Sequence, residues 1–113
     1  MQQKIVYLNG EFLPINQAKI SVLDRGFLFG DGVYEVIPAY QKKLFRFDEH
    51  MRRFDESLSA IFLPPPLTHE QFESVFRMLL EENEGDDQYI YCQITRGAAD
   101  NRDHAFPKNV TPS

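Results

Sequence analysis

Cysteine is nearly absent from this chain: Cys92 is the single one. With no second thiol there can be no internal disulfide, which fits a reducing compartment. No apolar run is long enough to cross a bilayer. The N-terminal MQQKIVYLNG carries one basic residue and only a short apolar stretch, which is not the pattern of a secretory signal. Together these features predict a cytoplasmic location. Basic runs are missing too. With a net charge of -5, neither nucleic acid nor an anionic membrane is an expected partner. The three histidines, His50, His69 and His104, lack metal-ligand spacing with Cys92 or with one another, so no metal site is expected. No Ser/His/Asp set sits in a convincing nucleophilic context.

What the chain does hold is enough for one domain. Its 113 residues can close around a single modest core, and 10 Phe with 5 Tyr make that core aromatic. Residues 3–8 (QKIVYL) are rich in strand formers, Asn9-Gly10 signals a tight turn, and Glu11-Phe12-Leu13 resumes the strand, which predicts a hairpin. The glycine-rich stretch 26–32 reads as a loop. A strand follows over 33–40, turned back at Gln41-Lys42-Lys43 onto Leu44-Phe45-Arg46-Phe47. Asp48 is the expected N-cap of a helix with Glu49 in its first turn. Met51, Phe54, Leu58 and Ile61 mark the apolar face of that helix, which Pro64-Pro65-Pro66 should end.

Thr68 and Gln71 form a capping-box pattern for a second helix, whose apolar face is Phe72, Val75, Phe76, Leu79 and Leu80. Gly85 is its expected C-cap. Residues 88–95 (QYIYCQIT) read as a strand on which Ile90, Cys92 and Ile94 share a face, so Cys92 is read as a small buried hydrophobe. After Gly97 the chain turns polar. The layout predicts an α+β domain: a mainly antiparallel sheet with two helices packed on it.

Four patches then carry a family likeness, in order along nearly the whole chain: DRGFLFGDGVYEV (24–36), KLFRFDEHMRRFDESL (43–58), YIYCQITRG (89–97) and Arg102-Asp103-His104. The chain resembles the N-terminal domain of the fold-type IV (class IV) pyridoxal-phosphate-dependent aminotransferases. The Arg-x-His at 102–104 resembles the D-amino-acid branch in particular. The likeness implies a two-domain parent with the cofactor, pyridoxal 5'-phosphate, in the cleft between domains. The cofactor-bearing lysine belongs to the second domain. Lys4, Lys19, Lys42, Lys43 and Lys108 match no such lysine, so this chain is expected to lack both the catalytic lysine and its domain, and to be inactive alone.

The resemblance also implies roles for particular residues. Arg53 would grip the cofactor phosphate, for which a guanidinium fork is geometrically suited. Without the likeness, Arg53 would read as a solvated arginine flanking an apolar stripe, and Tyr34 as a half-buried strand tyrosine. With it, Tyr34, Arg102 and His104 hold the substrate α-carboxylate, the arginine and histidine reaching in from a neighbouring subunit, which implies a homodimer acting on D-amino acids and 2-oxo acids. His50, three residues before Arg53, shares its helix face and reads as support. Asp24 and Arg25 read as a local pair bracing the glycine loop. Glu35 lies on the strand face opposite Tyr34 and is not expected to share its site.

Rival readings stay open at this level. A branched-chain aminotransferase or an aminodeoxychorismate lyase would share the family pattern, although Arg-x-His favours the D-branch. A different class of reading is a non-catalytic module that dimerises or binds anionic ligands. A third is a fragment of a longer protein, which the tail up to Ser113 fits better than a natural mini-protein.

Overall fold

The computed structural model describes residues 4–98. The chain opens with strands β1 (Ile5–Leu8) and β2 (Glu11–Pro14), paired antiparallel with Leu8 opposite Glu11. The connecting Asn9 and Gly10 have φ of 49° and 93°, the left-handed pair that a two-residue hairpin turn demands and that Asn-Gly tolerates best. This is the hairpin predicted from sequence.

The glycine-rich stretch is not a plain loop. Asp24 caps a one-turn helix α1 (Arg25–Phe29), its Oδ1 accepting from the Gly26 amide at 2.8 Å. Gly30, at φ 65°, ends the helix in the left-handed conformation that glycine adopts without penalty. Sequence reading missed this helix because one turn is too short to show a 3.6-residue apolar period.

Strand β3 (Gly32–Tyr40) pairs antiparallel with β5 (Gln88–Thr95) along nearly its whole length and with the short β4 (Lys43–Leu44) on its other side. The β3–β4 turn uses non-glycine residues with positive φ, Gln41 (50°) and Lys42 (59°). Their amides donate to Asp87 Oδ1 and to the Asp86 carbonyl, so neighbouring acceptors help offset the local strain.

Two helices of fourteen residues, α2 (Phe47–Ala60) and α3 (His69–Glu82), pack with the sheet. Ile37, Ala39, Ile90 and Ile94 of β3 and β5 join Met51, Phe54 and Leu58 of α2 and Phe72, Phe76 and Leu80 of α3 in one core. The architecture is the predicted α+β arrangement.

Several boundaries differ from the sequence reading. The N-cap of α2 is Arg46, at φ 54°, rather than Asp48. Phe47 turns inward and meets Phe76 edge-on at 6.1 Å, so the helix starts two residues sooner, and Asp48 and Glu49 both fall in its first turn. The same shift leaves β4 only two residues long. The prolines do not terminate α2; it has already ended at Ala60. The Phe62 amide donates to the Ser59 carbonyl and the Leu63 amide to the Leu58 carbonyl, the paired bonds of a Schellman motif, with Phe62 left-handed at φ 57°.

The capping box on α3 is as predicted: Gln71 N–H donates to Thr68 Oγ1 and Thr68 N–H to Gln71 Oε1. The other end is closed by Asn83, not Gly85. Asn83 Nδ2 donates to the Leu79 and Ile5 carbonyls, and its Oδ1 accepts from the Ile5 amide, which ties β1 to α3. An amide side chain that can serve both elements replaces the glycine cap. Among the described residues, no helix is long and apolar enough to cross a membrane.

Candidate functional site

Along β3 the side chains alternate between a row that faces the helices and a row that faces away. The inward row runs Glu35, Ile37, Ala39, and all three are buried. Glu35 is thus a carboxylate at a position where its neighbours are apolar, and it is only 5 % exposed. Burying a carboxylate is costly unless charged or polar partners surround it. Those partners come from α2, where His50 and Arg53 are one turn apart on one face.

Arg53 grips Glu35 with two nitrogens: Nε donates to Oε2 at 3.2 Å and Nη2 donates to Oε1. His50 Nδ1 lies 2.7 Å from Oε1. A carboxylate can only accept, so Nδ1 carries the proton there. The 3.4 Å approach of Arg53 Nη2 to that same nitrogen is then proximity rather than a bond. Burial alone would push the Glu35 carboxyl up. The hydrogen bonds from Arg53 and His50 and their charges outweigh it and hold the group below the usual glutamate range. The hydrogen bond to Glu35, reinforced by its charge, raises Arg53 in turn.

Although its partner is buried, the Arg53 side chain is 65 % exposed. Nε and Nη2 are occupied, and Nη1 has no protein partner among the described residues. An exposed guanidinium held along one edge is chemically fitted to a phosphate dianion. By its donor chemistry Arg53 fits the phosphate end of the cofactor that the family resemblance implies.

Tyr34 leaves the opposite face of β3 and is 64 % exposed. Its ring stacks on Tyr91 of β5 at 5.8 Å with 18° between planes. No partner for its hydroxyl is found among the described residues. The structure therefore brings Arg53, His50 and Glu35 together and sets Tyr34 on the other face of the sheet. Arg102 and His104 lie outside the described residues.

The turn that leads into Tyr34 is braced from below. Asp31 Oδ2 accepts from Arg25 Nε at 2.8 Å and from Arg96 Nε at 2.9 Å, and all three side chains are buried. The expected Asp24–Arg25 pair does not form: Asp24 is occupied as a helix cap, and Arg25 reaches Asp31 instead. Arg25 also lies over the Phe29 ring, 4.8 Å from its centroid. A bridge between Asp24 and Ala98 and a bond from the Arg25 amide to the Gly97 carbonyl join the turn to the end of β5.

Two contributors escaped the sequence reading. Arg96 had no signal beyond its place beside Gly97. Glu35 did have one: an acid in phase with Ile37 and Ala39 on the buried row of a strand, opposite a helix carrying His50 and Arg53.

The family profile described as amino-transferase class IV matches residues 32–113. The D-alanine aminotransferase of Staphylococcus haemolyticus is 49% identical over 102 residues, covering 90% of this chain and 36% of that protein. The chain thus spans about a third of the length of the curated relatives it matches. Among solved structures, the branched-chain aminotransferase of the thermophilic archaeon Thermoproteus uzoniensis with norvaline superposes with a TM-score of 0.79 at 28% identity, over 91% of this chain and 37% of that one. The Escherichia coli branched-chain amino acid aminotransferase gives a TM-score of 0.88 at 23% identity, over 98% and 39%, a likeness of fold.

Proposed function

The chain belongs to the class IV aminotransferase family, and from that premise we propose that it is the N-terminal domain of an enzyme that transaminates D-amino acids with 2-oxo acids. The observation that carries the D-specific reading is the 49% identity to a D-alanine aminotransferase over 90% of this chain. The Arg102-x-His104 pattern supports it.

In this reading each residue has a defined task. Arg53 binds the phosphate of pyridoxal phosphate with the part of its fork that Glu35 leaves unoccupied. Tyr34, Arg102 and His104 bind the substrate α-carboxylate, and in doing so orient the Cα–H bond toward one face. The bound cofactor would supply an electron sink for the carbanion left at Cα. No lysine of this chain matches the family's catalytic one, so the proton shuttle belongs to a second domain and the chain alone turns nothing over. With Arg102 and His104 supplied across a subunit boundary, the working unit is a homodimer.

The test is a transamination assay with D- and L-alanine and 2-oxoglutarate, run on this chain carried with a lysine-bearing second domain. Turnover of the D-enantiomer alone, lost in Arg102→Ala, is the expected result. Turnover confined to L-amino acids would sink the D-specific reading in favour of a branched-chain aminotransferase, the second reading that the likeness to the Thermoproteus uzoniensis enzyme supports. Turnover by the 113-residue chain without a partner domain would overturn the assignment of the lysine elsewhere.

A further inference from the structure

Glu35 has no task in the scheme above, yet its position demands one. It takes a place in the buried row of β3, in line with Ile37 and Ala39 and directly across from Cys92. An apolar side chain there would continue the core without a desolvation cost, and well-packed hydrophobic replacements for buried ion pairs are often neutral or stabilising. Stability therefore gives little reason for a carboxylate at this point. Its cation, moreover, is not buried with it: Glu35 is 5 % exposed and Arg53 is 65 % exposed. The pair is arranged as a buried anchor holding a surface group.

We propose that Glu35 is a positioning residue that fixes the guanidinium of Arg53 for an oxyanion. This rests on the assignment of Arg53 to the cofactor phosphate. The carboxylate takes Nε and Nη2, the edge of the fork nearest the aliphatic stem. That choice leaves Nη1 uncommitted. It also removes the rotation about the last side-chain bonds that a lone exposed arginine retains. His50 supports the same geometry from the helix: its Nδ1 proton, on a nitrogen 2.7 Å from Oε1, fixes the carboxylate itself. Binding to a fork already held in place loses less conformational entropy than binding to a mobile one.

The idea makes a prediction opposite in sign to simple electrostatics. Glu35 is an anion next to an anion-binding group. If charge alone mattered, Glu35→Gln would strengthen phosphate binding. If Glu35 positions Arg53, the same change weakens it.

The experiment uses the 113-residue chain with 15N-labelled arginine and inorganic phosphate as the probe. In the unsubstituted chain the Arg53 Nε–H should exchange with solvent about tenfold or more slowly than that of exposed Arg52, because a charge-assisted bond must open first. Equal exchange at the two sites overturns the proposal without any variant. Phosphate titrated against the Arg53 signal should then bind several-fold more weakly in Glu35→Gln, with backbone amide dispersion reporting that the variant is folded. Glu35→Asp is the second variant. It keeps the charge but draws the carboxylate back by one methylene, and it should weaken phosphate binding as well. Phosphate that shifts Arg53 equally, or more strongly, in both variants overturns the positioning role and leaves Arg53 as a phosphate ligand. Phosphate that never shifts Arg53 in the unsubstituted chain overturns that assignment first and the positioning role with it.

Discussion

Gly26 and Thr95 are packed so closely that a Cβ placed on Gly26 would lie 2.2 Å from Thr95 Cγ2 and 2.9 Å from Thr95 Cβ. Gly26 sits inside α1 with ordinary helical backbone, so the need for glycine is one of space rather than of dihedral freedom. Thr95 cannot easily give way. It is buried, β-branched, and its Oγ1 accepts from the Gly97 amide. Gly26→Ala should therefore cost about 1–3 kcal/mol, the range for overpacking a filled site. Thr95→Ser removes the nearer offending atom and keeps the hydroxyl, so the double variant should recover part of the loss. Urea unfolding of the four proteins measures this, and strictly additive effects would contradict a shared steric cause.

The end of α2 holds a second, more correctable strain. Phe62 occupies the left-handed C′ position of the Schellman motif at φ 57°, where a side chain with a Cβ is disfavoured, and it is 81 % exposed. Little packing is lost by removing it. Phe62→Gly should raise stability by roughly 0.5–1 kcal/mol, the conformational gain less the small loss of contact and the added unfolded-state entropy. Thermal unfolding would show it. A lower midpoint would mean that the exposed ring makes contacts worth more than the backbone strain.

Sequence reading works where a local signal decides the structure and stops where a distant contact does. The hairpin was legible because Asn9-Gly10 has a conformational reason to turn, and α3 because Thr68 and Gln71 cap each other over three residues. The apolar faces of α2 and α3 followed from spacing alone. What escaped is set by tertiary contact. Asn83 rather than Gly85 closes α3 because a distant strand needs its amide. Arg46 rather than Asp48 caps α2 because Phe47 is drawn into the core. At the candidate site, Arg53 and Tyr34 were identified from family likeness, whereas Glu35 required knowing that α2 lies over the inward row of β3. The opposite facing of Glu35 and Tyr34 did follow from strand alternation.

Cys92 offers a chemical readout of that inward row. Burial, and then the nearby Glu35 charge, push its thiol up to about 12. At pH 8 a group with that pKa is thiolate in about one molecule in ten thousand, against roughly a quarter for an ordinary cysteine. Reaction with a disulfide reagent should therefore be slowed on the order of a thousandfold in the folded chain and return to normal in denaturant. Labelling at the rate of a free thiol in native buffer would show that β5 and the helices do not seal this face.

Acid should act on the domain through Glu35. Its folded pKa is held below the ordinary glutamate value by Arg53 and His50 against the opposing effect of burial. Between the two values the unfolded chain binds more protons than the folded one, so stability must rise with pH across that interval. The contribution is complete above about pH 5, beyond the ordinary glutamate pKa, and is lost as pH falls through the lower folded value. Other carboxylates titrate in the same range, so the informative quantity is a difference. Unfolding free energy should climb more steeply from about pH 3 to about pH 5 in the unsubstituted chain than in Glu35→Gln. Because Arg53 faces solvent, added salt should narrow the gap by screening the pair. Identical slopes in the two proteins would mean that the Glu35 carboxyl is not held ionised by its neighbours, and the buried anchor beneath Arg53 would then have to be abandoned.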